Sequence, residues 1–220
     1  MISKFFVIIL LNIHLLAVAA QSIFDGNLTR IILEQWLSED QLNSTVISLS
    51  KRNITNIDQD TFLSLSNLKS LYLNQNKISQ LNENIFKSQF NLEKLIIDDN
   101  QIEEMPLKIF FGLTKLEYLY ISSNCLKTLQ TGLFTGLNRL TYIILYENKL
   151  SRLDANVFNG LYNLKVINLG KNNILAIDRL IFVGLLKLEL VYLNLNPISV
   201  YLPNIVLGLC QTNPSCIIQI

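Results

Sequence analysis

The sequence has one histidine, His14, together with three cysteines, four prolines, one tryptophan and eight glycines in 220 residues. Beyond residue 20 histidine is absent altogether. That absence removes Ser-His and Cys-His nucleophile pairs and every histidine-ligated metal from consideration. The glycines form no phosphate-cradling loop. Carboxylate pairs occur at Asp98-Asp99 and Glu103-Glu104. A glycosidase-type pair needs a cleft and a shifted pKa, however, and the sequence signals neither. Asp98, Asp99 and Glu147 also lack the ligand spacing of a calcium loop. The expectation is therefore no enzyme, no catalytic residue, no metal and no cofactor.

Charge of one sign is lacking too. Eighteen Lys and Arg face seventeen Asp and Glu, for a formal net charge of +1. Bulk electrostatics would not draw a polyanion, so no nucleic-acid partner is expected. Half of the residues are apolar, yet after residue 20 no apolar run approaches the roughly 18 residues that a membrane span needs. The exception is the beginning. Lys4 precedes the apolar stretch Phe5 to Leu16, and Ala17 to Ala20 supply small residues. That order reads as a cleaved secretory signal peptide over residues 1–20, with an uncleaved anchor as the alternative. No second apolar segment, prenylation box or GPI-type tail follows. The expected compartment is extracellular.

What the sequence does have is a period. Phe62, Phe86, Phe110, Phe134, Phe158 and Phe182 stand 24 residues apart, and Val206 continues the series. Asn76, Asn100, Asn124, Asn148, Asn172 and Asn196 keep the same interval, broken only by Arg52 in the first copy. Gly112, Gly136, Gly160, Gly184 and Gly208 do likewise, with Ser64 and Ser88 in the first two copies. Self-similarity at a fixed period is the signature of a solenoid. Within each copy, residues such as Leu71 and Leu73 are two apart and so share one face of a short strand. Tyr72 and Asn74 point the other way. Stacked copies add one parallel strand each, and no copy can bury its apolar face alone.

The second copy reads Leu68-Lys69-Ser70-Leu71-Tyr72-Leu73-Asn74-Gln75-Asn76-Lys77-Ile78. It resembles the LxxLxLxxNxL signature of leucine-rich repeats, and the later Phe and Gly-Leu positions resemble the 24-residue subclass found in Toll-receptor ectodomains and Slit. The resemblance covers Ser44 to Gln211. It implies an α/β solenoid of seven repeats, curved as a right-handed superhelix with a parallel sheet on its concave face and a stacked asparagine ladder. The chain divides accordingly into residues 1–20 (signal peptide), 21–43 (N-terminal cap), 44–211 (seven repeats) and 212–220 (C-terminal tail).

A solenoid must cover its ends. Many extracellular relatives use cysteine-rich caps, but no cysteine precedes Cys125. Instead Leu28, Ile31, Ile32 and Trp36 recur at helical spacing. This predicts an amphipathic helix or turn over Asn27 to Leu37, with Trp36 as a capping core residue. Near the other end Cys210 and Cys216 bracket a short loop that a disulfide would close, two free thiols or a truncated cysteine cap being the alternatives. Cys125 is the odd cysteine, either a plain free thiol or a cross-link between two copies.

Three sequons, at Asn27, Asn43 and Asn53, make N-glycosylation expected near the N-terminal end. The outward strand positions carry the candidate binding surface. Tyr72, Ile96, Tyr120, Ile144 and Tyr192 lie between core positions, joined by Tyr118, Tyr142 and Tyr146. Tyrosine offers large contact area with a polar end and suits a protein interface, although tyrosine and isoleucine also simply favour strands. Asp98, Asp99 and Glu147, with Lys94 and Lys171, form a mixed rim. The resulting expectation is a secreted or surface-associated glycoprotein that binds an extracellular protein or receptor through its concave face, for recognition or adhesion. Two other readings stay open. One is a structural matrix or self-assembling component, including a homodimer. The other is an ectodomain fragment of a longer receptor.

Overall fold

The computed structural model describes residues 24–200 and 216–220. The expected signal peptide lies outside the described residues. An eight-stranded parallel sheet runs the length of the molecule. Its strands are β2 (Val46–Ser48), β4 (Ser70–Tyr72), β5 (Lys94–Ile96), β6 (Tyr118–Tyr120), β7 (Tyr142–Ile144), β8 (Val166–Asn168), β9 (Leu190–Tyr192) and β10 (Ile217–Gln219), in that spatial order. Each of the first seven is one rung of a solenoid of about seven turns, in agreement with the sequence. Pairing is in register at the repeat interval, so Leu71, Leu95, Leu119, Ile143, Ile167 and Val191 form one buried row. The stretch 212–220, read from sequence as a tail, carries β10, which adds an eighth rung beside β9. Its spacing departs from the 24-residue interval, which is why periodicity missed it.

The phenylalanine series forms the spine of the core. Phe110, Phe134, Phe158 and Phe182 stack face to face with ring centroids 6.0–6.2 Å apart, as do Phe62 and Phe86. The asparagine series is the ladder that the resemblance implies. Asn100 shows its logic. Its Oδ1 accepts the Ile78 N–H of the preceding repeat (3.0 Å), and its Nδ2 donates to the carbonyls of Leu73 (3.0 Å) and Ile97 (3.1 Å). An amide is required because one side chain must accept and donate at once. Asn76 extends the ladder over the atypical first repeat, where its Oδ1 accepts the N–H groups of both Arg52 and Ile54.

One periodic feature has no residue type to announce it. Lys51, Gln75, Asp99, Ser123, Glu147, Lys171 and Leu195 all have positive φ, between 50° and 60°. Each sits immediately before a ladder position. The left-handed conformation turns the chain sharply out of the strand, at a cost of roughly 1–2 kcal/mol for a residue with a Cβ. The ladder bonds on the next residue hold the turn in place.

The N-terminal cap combines a strand and two short helices. β1 (Asn27–Leu28) pairs in parallel with β3 (Asn56–Ile57) as a separate two-stranded sheet. α1 (Arg30–Trp36) begins at Thr29, whose side chain accepts the Ile32 N–H, and α2 (Glu39–Leu42) carries a capping box between Ser38 and Gln41. Leu28, Leu33 and Leu37 are buried over the first repeat. Trp36 is half-buried against the core, edge-on to Phe24 at 4.9 Å and under the Arg52 guanidinium at 5.1 Å. This agrees with its expected capping role. Gly26 lies where a Cβ would come 2.3 Å from Thr55 Oγ1, at φ +96°, so only glycine lets β1 approach the first repeat.

Gln89 occupies the position held by Leu65, Leu113, Leu137, Leu161 and Leu185 in other repeats. Its Nε2 donates to the Phe62 carbonyl at 2.7 Å, while its buried Oε1 has no partner. The Phe62 carbonyl also accepts the Leu65 N–H, so it does not depend on Gln89. Gln89→Leu is therefore expected to raise stability by about 1–2 kcal/mol, by removing an unsatisfied buried carbonyl and restoring an apolar contact. Denaturant unfolding checks this, and a loss of stability would show that Gln89 is satisfied in solution.

Candidate functional site

The concave face is built by the strand positions that alternate with the core. Sheet register aligns them in columns. The middle column runs Ser48, Tyr72, Ile96, Tyr120, Ile144, Asn168 and Tyr192. Beside it runs Val46, Ser70, Lys94, Tyr118, Tyr142, Val166 and Leu190. Tyr146 belongs to a third column, leaving the strands. The structure thus brings Tyr72, Ile96, Tyr118, Tyr120, Tyr142, Ile144 and Tyr146 onto one continuous surface. Tyr192 stands apart, separated from Ile144 by Asn168. Val166 and Leu190 extend the Tyr118–Tyr142 column, an extension that position alone could have shown.

Ile96 and Ile144, read from sequence as exposed, are half-buried. Tyrosine rings on adjacent strands flank Ile96 on both sides and Ile144 on one, where Asn168 takes the other. Tyr118 and Tyr142 stack at 5.2 Å with nearly parallel rings. Lys94 lies 5.7 Å from the ring centres of both Tyr72 and Tyr120, so one ammonium is shared between two aromatic faces. The Lys171 ammonium sits 5.9 Å from the Tyr146 ring and pairs with the Glu147 carboxylate. That ion pair holds the Glu147 carboxyl below its ordinary range. Gly170 makes room for this corner, since a Cβ there would lie 2.8 Å from Asn194 Oδ1 and 3.1 Å from Tyr146 Cδ2. Sequence reading missed Gly170 because it falls outside the repeat glycines.

The rim is acidic where it is not paired. Asp98 accepts the Ser122 N–H at 2.5 Å, and burial nevertheless pushes its carboxyl above the usual range. Asp99 is exposed beside it. Burial, together with the neighbouring Tyr118 and Asp98, raises the Tyr120 hydroxyl as well. Lys69 and Lys165 are tied to Glu93 and Glu189 at 2.9 and 3.1 Å. Beside the tyrosine surface Lys69, Lys94, Lys165 and Lys171 are thus engaged within the protein, Lys51 of the first repeat standing exposed, and the surface is bordered by Asp98, Asp99 and Glu117.

The three sequons differ in setting. Asn27 is half-buried in β1 with its Oδ1 accepting from Asn56 Nδ2 at 2.9 Å, whereas Asn43 and Asn53 are exposed. Cys125 is a half-buried free thiol. Cys210, and with it the expected Cys210–Cys216 pair, lies outside the described residues; Cys216 packs half-buried against the core. Among the described residues no helix is long and apolar enough to cross a membrane.

Three stretches, residues 43–88, 90–150 and 139–198, match the family model described as leucine rich repeat. Similar solved structures include a chain from the crystal structure of a TLR13–ssRNA13 complex, 32% identical, covering 67% of this chain and 21% of that one, with a TM-score of 0.62. A leucine-rich-repeat protein of Leptospira interrogans, LIC12759, is 23% identical over 80% of this chain and 48% of its own, with a TM-score of 0.65. A chain of the Drosophila Toll–Spatzle complex is 23% identical over 77% of this chain and 22% of its own, with a TM-score of 0.60. This chain spans about a fifth to a half of the length of those it matches. No curated protein sequence matches it.

Proposed function

Because the chain belongs to the leucine-rich-repeat family, we propose that it is a secreted or surface-associated glycoprotein that binds an extracellular protein through the concave tyrosine surface of repeats two to five. The supporting observation is the pair of aligned columns centred on Tyr118, Tyr120, Tyr142 and Ile144. They offer stacked, half-buried aromatic area with polar hydroxyl ends, the composition of interface hot spots. Asp98, Asp99 and Glu117 at its border suit a partner with basic residues around an apolar centre, a complementarity that steers encounter and register.

The TLR13–ssRNA13 structure raises a second reading, single-stranded nucleic acid, since aromatic side chains also stack bases. Such sites add a positively charged groove for the phosphates. Here Lys94 and Lys171 are held by tyrosines and by Glu147, and the unpaired rim is acidic, so we favour protein. Tyr120→Glu combined with Ile144→Glu is expected to abolish capture from an array of extracellular proteins, with the fold intact by circular dichroism. Retained capture would sink the concave reading. Salt-sensitive binding of a single-stranded oligonucleotide would favour the second reading.

A further inference from the structure

The cap covers the core of the first repeat but adds no strand to its sheet. β1 pairs with β3 in a separate sheet, and among the described residues the main sheet ends at β2, whose one neighbour there is β4. An open strand edge is a template for pairing with another chain. Protection at β2 is partial. The Ser44 hydroxyl accepts the Val46 N–H at 3.1 Å and donates to its carbonyl at 3.0 Å. Val46 itself is 52% exposed and apolar. No charged side chain stands on β2, where charge would ordinarily guard such an edge.

Asn43 lies three residues before β2, at the C-terminal end of α2, and is exposed. At most about 11 Å of chain separates it from Val46. Its side chain makes a single hydrogen bond, Nδ2 to the Glu39 carbonyl at 3.1 Å, which an N-linked sugar can replace. That carbonyl also accepts the Asn43 backbone N–H and stays satisfied without it. The sequon residue Thr45 is likewise exposed, and its backbone carbonyl, not its side chain, serves the sheet.

We propose that an N-linked glycan on Asn43 is the missing guard of this end. It covers the open β2 edge and blocks edge-to-edge pairing between copies of this chain. The inference rests on the secreted reading above. It gives one of the three sequons a structural task that the others cannot share. Asn53 follows the strand on the far side of the turn, and Asn27 is engaged with Asn56 in the separate β1–β3 sheet.

The test uses the full chain secreted from eukaryotic cells. Intact-mass and glycopeptide analysis should find Asn43 modified. Light scattering at tens of micromolar should then show Asn43→Gln and Thr45→Ala at about twice the wild-type mass, as one new pairing edge allows. Asn53→Gln should match wild type. Adding Val46→Lys to Asn43→Gln should return the mass to the wild-type value. Comparison with wild type cancels any association through β10 at the other end. Native enzymatic deglycosylation of the wild-type protein gives the same readout if the variants are not secreted. An unmodified Asn43 beside a modified Asn53 overturns the proposal and leaves the secreted reading intact. Equal masses for Asn43→Gln and wild type, or a doubled mass that survives Val46→Lys, also overturn it. A wild-type chain retained in the cytosol overturns both.

Discussion

Asn124→Ala is expected to destabilise the protein by about 2–4 kcal/mol, although the residue touches no ligand-facing atom. The Asn124 amide accepts the Ile102 N–H at 3.0 Å and donates to the carbonyls of Ile97 and Ser122, each at 3.0 Å. The Ser122 carbonyl keeps the Asp99 N–H as a second partner. The Ile97 carbonyl keeps the Asn100 amide, but the Ile102 N–H is left with no partner between two repeats, and such an orphaned group costs about 1–3 kcal/mol on top of the bonds lost. The left-handed turn at Ser123 loses its clamp at the same time. Asn124→Asp should also be damaging, because its carboxylate can still accept from Ile102 but sets an oxygen without a proton against the Ile97 and Ser122 carbonyls. A fall of roughly 10 °C in Tm by calorimetry is expected for a chain of this length. A shift within a degree or two would mean that water replaces the ladder.

Phe134→Ala is the second large effect. Its ring is fully buried and stacked between Phe110 and Phe158 at 6.1 and 6.0 Å. Truncation removes a large apolar group at a site whose two neighbours belong to different repeats, at a cost of about 3–5 kcal/mol. Position adds to that cost. A solenoid is stabilised through nearest-neighbour interfaces, so a weakened central interface uncouples the two halves. The denaturant transition should broaden as well as move, with the two ends unfolding at different midpoints. Phe134→Leu, which refills most of the volume, should keep a single transition. A sharp single transition for Phe134→Ala would show that repeats four and five are not the joint on which cooperativity depends.

These two positions also show what could be read from the sequence and why. Phe134 and Asn124 repeat by residue type, because only a large ring fills the spine and only an amide both accepts and donates. Their roles were legible at once, and so was the concave surface, since alternation about Leu71 and Leu73 fixes which side chains face outward. The turns at Lys51, Gln75, Asp99, Ser123, Glu147, Lys171 and Leu195 were not legible. Their conformation is imposed by the neighbouring ladder residue, so selection leaves no common side chain to notice. β10 was hidden for a different reason: its spacing breaks the period that revealed the others. The half-burial of Ile96 and Ile144 depends on neighbouring tyrosines across strands, which sequence order does not place side by side. Gly170 escaped because its role is a close approach of Tyr146 and Asn194, a contact with no motif.

The concave surface is tested most directly by hydroxyl-radical footprinting of the protein with and without a captured extracellular partner. Tyr162, 61% exposed and away from the concave columns, supplies an internal reference. Protection of Tyr118, Tyr120, Tyr142 and Tyr146 on binding, with Tyr162 unchanged, is the predicted result. Unchanged oxidation of those four tyrosines, with protection at Tyr162 or at the exposed Phe90 and Phe111, would contradict it and move the binding surface off the sheet.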